Sequence, residues 1–226
     1  MFDVDGTLIL SSHAGMRAFH QAFQDIFKVP VEGEVVRPDG KTDPLIAREM
    51  LAYFGLSARW TEQTRGALFS AYLQNLEAEM RLVAKTGALR VLPGVINLLD
   101  TLARQPDFAL GLATGNLESG AGIKLRQAGL GGYFHFGGFG SDSEDRTELI
   151  RQGMRRGADL CAPLPIDSSF VVGDTPLDII HGHEAGARVL AVASARYSMP
   201  DMEPFQPEML ASDLTDTDAI LSFFRS

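Results

Sequence analysis

The sequence predicts an α/β fold in which a doubly wound parallel sheet carries an inserted group of α-helices. Short apolar runs alternate with amphipathic stretches along most of the chain, which is typical of a parallel sheet covered by helices. Between about Leu10 and Ala88 the strand-like runs disappear and helical spacing takes over. The chain has 226 residues, enough for one large domain or for a core domain with a smaller insert.

Strands and helices are expected to alternate outside the insert. Helix 94–104 would place its apolar residues on one face, and helix 176–185 would begin with Thr175 as its N-cap and Pro176 in its first turn. The five expected strands are, in chain order, residues 2–4, 108–113, 133–137, 169–173 and 188–192.

The insert is expected to hold three helices. In the first, Phe19 and Phe23 lie on one apolar face at helical spacing. The second is expected to be capped at Asp43 and to continue through Phe54, and residues 61–83 would form the third.

Composition and charge are those of an ordinary soluble protein with an acidic surface. Hydrophobic residues make up 45% and charged residues 22% of the chain, and no apolar run approaches the length of a membrane span. The net charge of -9 disfavours nucleic acid as a partner, because that polyanion requires a basic surface. We expect no membrane partner, and instead a small anionic ligand that is drawn to a locally positive site.

The chain contains one cysteine, Cys161, which excludes an internal disulfide and a cysteine-based zinc cluster. A reducing compartment fits this composition, and the beginning of the chain does not resemble a signal peptide, so a cytoplasmic location is expected. A first strand with only two residues before Asp3 would be unusually short, which suggests that the full gene product begins before Met1. The oligomeric state is left open between a monomer and a homodimer.

Two aspartates follow the first predicted strand, in the segment Phe-Asp-Val-Asp-Gly-Thr-Leu at 2–8. Their two-residue spacing points Asp3 and Asp5 to the same face, and Gly6 lets the backbone turn sharply. Open parallel α/β sheets bind ligands at the carboxyl ends of their strands. The pair is therefore a candidate catalytic site, with solvated turn aspartates as the alternative.

A second acidic pair, Asp174 and Asp178, follows the strand at 169–173 and enters the next helix. The two residues lie one helical turn apart, so both can face one point. Clustered carboxylate oxygens suit Mg²⁺. The alternative is that Asp178 only stabilises the helix dipole.

A third motif, Thr114-Gly115-Asn116, follows the strand at 108–113. Its hydroxyl and the nearby backbone N–H groups could hold a phosphate. Taken alone, it is more simply an ordinary turn with Asn116 as the N-cap of the following helix.

The three motifs, in this order, resemble those of the haloacid dehalogenase-like superfamily. In that family the first aspartate attacks phosphorus, the second transfers the proton, and a Ser or Thr holds the phosphoryl group. The resemblance implies that Asp3 is the nucleophile, Asp5 the general acid/base, and Thr114 the phosphate hydroxyl, with Gly115 and Asn116 beside it in the substrate site.

The same resemblance implies a magnesium site and a domain arrangement. Asp174 and Asp178 would bind Mg²⁺ together with Asp3 and the backbone carbonyl of Asp5. Residues 1–10 and 89–226 would form a Rossmann-like catalytic core, residues 11–88 a helical cap, and the cleft between them the active site.

One element of the family pattern is missing: the family's third motif is a lysine in a Lys-Pro segment, and no such segment lies between the second motif and Asp174. Arg146 and Lys124 are the candidates for the cation, with a solvated surface charge as the alternative for each. Arg146 has the better position, after the third core strand, whereas Lys124 would have to reach back along its own helix. We therefore expect Arg146 to screen the phosphoryl group and Lys124 to matter much less.

The insert carries a polar loop just before its second helix. Similar loops in the family's caps close over the substrate, and a polar capping turn is the alternative. The candidate substrate-binding residues of this loop are Arg37, Lys41 and Thr42.

The expected function is magnesium-dependent hydrolysis of a small phosphorylated metabolite, as in the phosphoglycolate phosphatase-like members of the superfamily. A phosphomutase is the main rival, because it uses the same aspartates. A haloacid dehalogenase is less compatible with an aspartate at position 5, and a non-catalytic phosphate-binding module is less compatible with intact Asp3, Asp5 and Asp174.

Overall fold

The main sheet is parallel and is centred on the first residues of the chain. In this computed structural model, which describes residues 1–160 and 169–226, Phe2 bridges Leu112 on one side and Val172 on the other. The Phe2 N–H donates to the Gly111 carbonyl and the Asp3 N–H to the Val172 carbonyl, both at 2.9 Å. Cys161 lies outside the described residues.

Seven short strands occur in the described residues. They are β1 (Ile9–Leu10), β2 (Arg90–Val91), β3 (Gly111–Thr114), β4 (Phe136–Phe139), β5 (Phe170–Gly173), β6 (Arg188–Val192) and β7 (Met209–Ala211). Together with the N-terminal segment, the main sheet has the order β4, β3, N-terminus, β5, β6, β7, and all of its pairs are parallel. The doubly wound α/β fold predicted from the sequence is confirmed.

Helices connect the strands and cover both faces of the sheet. They are α1 (Ala14–Phe27), α2 (Asp43–Tyr53), α3 (Glu62–Lys85), α4 (Val95–Ala103), α5 (Glu118–Gln127), α6 (Arg146–Leu160), α7 (Pro176–Ala185), α8 (Met199–Met202) and α9 (Thr217–Arg225). None of the helices that the structure describes is both long enough and apolar enough to cross a membrane.

Alternate residues of each strand enter separate apolar cores, as the two-residue period of a strand requires. In β5, Val172 packs in the larger core with α4, and Val171 packs in the smaller core with α6 and α7. Both faces of the sheet are therefore buried, and the strand ends are left as the place where polar side chains gather.

Helices α1 to α3 form the insert predicted between the first strand and the rest of the sheet. Helices α1 and α3 pack together, with the rings of Phe19 and Tyr72 at 4.9 Å. The N-cap of α2 is Thr42, whose hydroxyl accepts from the Leu45 N–H, so the expectation of Asp43 as the cap was wrong. Asp43 occupies the first helical turn instead.

The two chain segments that enter and leave the insert pair with each other. Strand β1 runs antiparallel to β2, with Ile9 opposite Val91 and Leu10 opposite Arg90. This two-residue pairing was not predicted, and neither was the edge strand β7. The expected strand at 2–4 is reduced to the two isolated bridges that Phe2 makes.

Candidate active site

Three carboxylates converge at the carboxyl ends of neighbouring strands. Asp3 follows the bridge at Phe2, and Asp174 follows β5 directly. Asp178 lies in the first turn of α7, where its carboxylate also accepts from the hydroxyl and N–H of Thr175 as part of a capping box. All three are buried, and carboxylate oxygens of Asp3, Asp174 and Asp178 lie within 4.8 Å of one another.

One buried arginine faces this cluster. Arg146, the first residue of α6, makes a short ion pair with Asp178, and its Nη2 lies 3.4 Å from Oδ2 of Asp3. Its Nη1 donates to the carbonyl of Gly40 in the insert at 3.2 Å. The Nε is buried with no hydrogen-bond partner among the residues described.

Burial and mutual repulsion make the acidic cluster receptive to a cation. Burial raises the pKa of Asp3 to about 6, although Arg146 opposes the shift. Burial, with the charges of Asp178 and Asp3, raises the pKa of Asp174 well above its usual value. Because one guanidinium faces three carboxylates, negative charge remains uncompensated, and the hard oxygen donors present fit Mg²⁺.

Asp5 belongs to a different charge network. Its Oδ2 is 2.5 Å from Nζ of Lys124 and 2.9 Å from Nδ2 of Asn116. Nζ of Lys124 also donates to Oδ1 of Asn116 at 2.6 Å, and Nδ2 of Asn116 donates to Oγ1 of Thr114 at 2.8 Å. The side chain of Asp5 is partly exposed, so it can reach a ligand in the adjoining cavity.

The turn formed by Asp5, Gly6 and Thr7 holds the first motif against β5. Gly6 has φ +83°, and a Cβ at this position would lie 2.2 Å from Oδ2 of Asp174. The next residue, Thr7, is buried and donates from its hydroxyl to Oδ1 of Asp174 at 2.9 Å. Only glycine therefore fits at position 6 without displacing Asp174.

The loop after β3 is pressed against the insert. A Cβ on Gly115 would lie 2.0 Å from the carbonyl oxygen of Lys41. Asp43 donates its N–H to the carbonyl of Gly115 and accepts from the N–H of Leu117, both at 2.8 Å. Leu117 is the N-cap of α5, so the alternative that Asn116 is merely a helix cap was wrong.

A cavity of about 600 Å³ joins these groups to the insert. Of the candidate residues in the insert loop, Lys41 is among the described residues that line it, and its Nζ pairs with Glu49 at 2.5 Å. Arg37 is exposed, and Thr42 is buried as the N-cap of α2. The structure thus brings Lys41 to the site and leaves Arg37 and Thr42 outside the cavity lining.

Several residues at the site were not given a role there from the sequence. Thr7 lies two residues after Asp5, and Asp43 precedes a proline at a helix start. The local sequence therefore could have indicated both residues. Tyr72 and Arg90 lie on an ordinary helix and a two-residue strand, and nothing in the local sequence marks them.

Comparison with known proteins shows which family the chain belongs to. The family model described as haloacid dehalogenase-like hydrolase matches residues 1–192. A hydrolase from Pseudomonas syringae has a TM-score of 0.71 at 22% sequence identity, with 100% of this chain and 98% of that chain covered.

Two further solved structures share the fold. A predicted phosphoglycolate phosphatase from Haemophilus somnus 129PT has a TM-score of 0.70 at 19% identity, with 97% of this chain and 96% of that chain covered. A beta-phosphoglucomutase from Clostridium difficile has a TM-score of 0.70 at 10% identity, with 99% of this chain and 95% of that chain covered. At these identities the likeness shows a common fold.

Proposed function

Because this chain belongs to the haloacid dehalogenase-like hydrolase family, we propose that it is a magnesium-dependent phosphatase acting on a small phosphate monoester. One observation carries the proposal. Asp3 is buried at a strand end beside Arg146 and two further carboxylates, and two residues later Asp5 faces the same cavity beside Lys124.

The proposed reaction has two steps. In the first, a carboxylate oxygen of Asp3 forms a bond to phosphorus as the bond to the leaving oxygen breaks, and Asp5 donates a proton to that oxygen. In the second, Asp5 removes a proton from a water molecule, which attacks phosphorus and releases inorganic phosphate from Asp3. Burial suits Asp3 to the nucleophilic role, and partial exposure suits Asp5 to exchange its proton.

The buried carboxylates of Asp3, Asp174 and Asp178, with the backbone carbonyl of Asp5, are the residues that would hold Mg²⁺. When bound, Mg²⁺ supplies positive charge that offsets repulsion between a phosphate dianion and the carboxylates.

The protein's own donors complete the phosphate site. Thr114 offers a buried hydroxyl, and Gly115 and Asn116 bring backbone N–H groups to the strand end. Nη2 of Arg146 supplies a charged donor beside Asp3. Donors fixed in this way stabilise charge that develops on the transferred phosphoryl group.

We further propose that residues 11–88 form a cap over a core made of residues 1–10 and 89–226. The pairing of β1 with β2 brings the two crossings between these parts together, which supports the boundaries. Residues of the insert that line the cavity, among them Lys41, would select the phosphorylated metabolite. A cytoplasmic location remains a prediction.

The purified protein should release inorganic phosphate from members of a phosphate-ester panel when Mg²⁺ is present and lose this activity in excess chelator. A phosphomutase would instead convert a sugar phosphate to its isomer with little release of phosphate. Failure to release phosphate from any ester in the panel would contradict the proposed function.

A further inference from the structure

The ammonium group of Lys124 lies where all three helices of the insert meet the core. A methyl group added to Gly15 in α1 would be 3.3 Å from this nitrogen and 4.0 Å from the hydroxyl of Tyr72 in α3. Asp43 in α2 is close enough for the Lys124 charge to oppose the shift of its carboxyl pKa. Lys124 is almost fully buried, so these neighbours define its position rather than solvent.

The carboxylate of Asp43 therefore faces the same cation as Asp5. Lys124 contacts Asp5 directly at 2.5 Å, and Asp43 balances it from the insert side. The Tyr72 hydroxyl is also near enough to lower the pKa of the Asp43 carboxyl group. Lys124 therefore lies between the carboxylate of Asp5, which it contacts, and the insert, where it acts on Asp43 at longer range.

Asp43 also fixes the backbone of the loop that follows β3. Its main-chain N–H donates to the Gly115 carbonyl and its carboxylate accepts from the Leu117 N–H, each at 2.8 Å. Two hydrogen bonds in opposite directions hold residues 115–117 in one orientation. Two of them, Gly115 and Asn116, carry the N–H groups offered to a phosphate.

The charge of Asp43 is costly where it stands. Burial raises its pKa to about 6, and an asparagine amide could accept the Leu117 hydrogen bond without that cost. Helix capping does not explain the carboxylate either, because Thr42 is the N-cap of α2. What a carboxylate provides beyond an amide is a counter-charge for Lys124.

We propose that Asp43 is a positioning residue for phosphoryl transfer, which fixes the loop after β3 and supplies a counter-charge to Lys124 from the insert. This inference rests on the proposed function. Asp43 acts on the reaction through Lys124, which orients Asp5, and through the backbone of Gly115 and Asn116, which would bind the phosphoryl group.

The test compares wild type with Asp43→Asn and Asp43→Ala, using p-nitrophenyl phosphate with Mg²⁺ for turnover and inorganic phosphate with Mg²⁺ for binding. Asp43→Asn keeps the acceptor for Leu117 and removes the charge, so kcat should fall on the order of tenfold while KM and phosphate affinity change by less than about threefold. Asp43→Ala also frees the loop, so its phosphate affinity should fall on the order of tenfold.

Asp216→Asn is the matched control, because Asp216 also accepts a hydrogen bond from a helix-start N–H, that of Ala219, but lies at α9. It should leave kcat and phosphate affinity unchanged. Wild-type kcat in Asp43→Asn would overturn the inference, as would parallel losses of kcat, phosphate affinity and melting temperature. If the wild-type protein turns over no ester, the proposed function is contradicted. Unchanged phosphate affinity in Asp43→Ala would separately overturn the inference about Asp43.

Discussion

Arg146 and Lys124 contact different carboxylates at the site. Arg146 faces Asp3 and pairs with Asp178, whereas Lys124 contacts Asp5. Sequence reasoning treated the two cations as alternatives for one role, because position along the chain could not show that both reach the cavity. The two cations thus contact different aspartates. Removal of Arg146 and removal of Lys124 should therefore have different effects on catalysis and stability.

Arg146→Ala should lower kcat on the order of a hundredfold, because it removes the charged donor beside Asp3. It also leaves Asp178 buried without its cation, which should cost about 3 kcal/mol of unfolding free energy. Arg146→Lys restores a charge without the paired donors and should fold better while staying slow. Steady-state kinetics and urea unfolding of both variants check this, and wild-type kcat in folded Arg146→Ala would refute it.

Lys124→Ala should lower kcat on the order of tenfold, less than Arg146→Ala but more than the sequence suggested. The reason is the 2.5 Å contact between Nζ and Oδ2 of Asp5, which orients the proposed proton donor. The same assay that is used for Arg146 measures this effect. A kcat within about twofold of the wild-type value would show that Asp5 needs no cation.

Asp43→Asn should make the protein more stable in neutral and alkaline solution. Burial raises the pKa of Asp43 from 3.8 to about 6, so the folded state holds this proton more tightly than the unfolded state. The native carboxylate therefore costs stability above pH 6, by up to about 3 kcal/mol, and this cost disappears as pH falls below about 4. Urea unfolding at pH 8 and pH 4 should show a gain for the variant that shrinks with acidity. An equal gain at both pH values would contradict the shift.

Among the elements, the turn after the first motif is the one that tolerates least change. Gly6→Ala would place a methyl group 2.2 Å from Oδ2 of Asp174 at a φ of +83°. Backbone strain and the displacement of Asp174 should together lower kcat on the order of a hundredfold or more and weaken Mg²⁺ binding. Gly129→Ala, also at positive φ but with open space around it, is the matched control and should lose stability without losing magnesium affinity. Equal effects of the two substitutions on magnesium affinity would disprove the steric argument.

Element prediction worked where a segment carries enough residues to show a period. Strand β6 begins and ends at its predicted residues, and α7 does too, because Thr175 and Pro176 define its start. Strands β1, β2 and β7 were not predicted, because two or three residues are too few to show the alternation of apolar and polar side chains. Their pairing is decided by neighbours that are distant in sequence.

At the scale of the whole molecule, the sequence could predict the core half of the site better than the insert half. Asp3, Thr114 and Asp174 each follow a strand, and the carboxyl ends of parallel strands must meet at one edge of the sheet. The contacts of Asp43 and Tyr72 with this edge depend on how the insert packs on the core, which local patterns do not encode.

Magnesium should stabilise the whole protein, and more so at pH 8 than at pH 5. Protons compete with Mg²⁺ for carboxylates whose pKa is raised, to about 6 for Asp3 and well above the usual value for Asp174. At a hundred times the dissociation constant, bound Mg²⁺ should add about 2.7 kcal/mol to the unfolding free energy. Thermal unfolding with and without Mg²⁺ measures this. Asp174→Ala should lose the shift more completely than Asp178→Ala, and a shift that survives in Asp174→Ala would locate the metal elsewhere.

If Asp3 accepts the phosphoryl group, the phosphorylated enzyme can be trapped during turnover. Wild-type protein is mixed with p-nitrophenyl phosphate and Mg²⁺, quenched in acid within one turnover and digested for mass spectrometry. The account predicts a phosphoryl group on the peptide that contains Asp3, and neither this adduct nor turnover in Asp3→Asn. Turnover by Asp3→Asn at the wild-type rate, or a phosphoryl group trapped on a different residue, would contradict it.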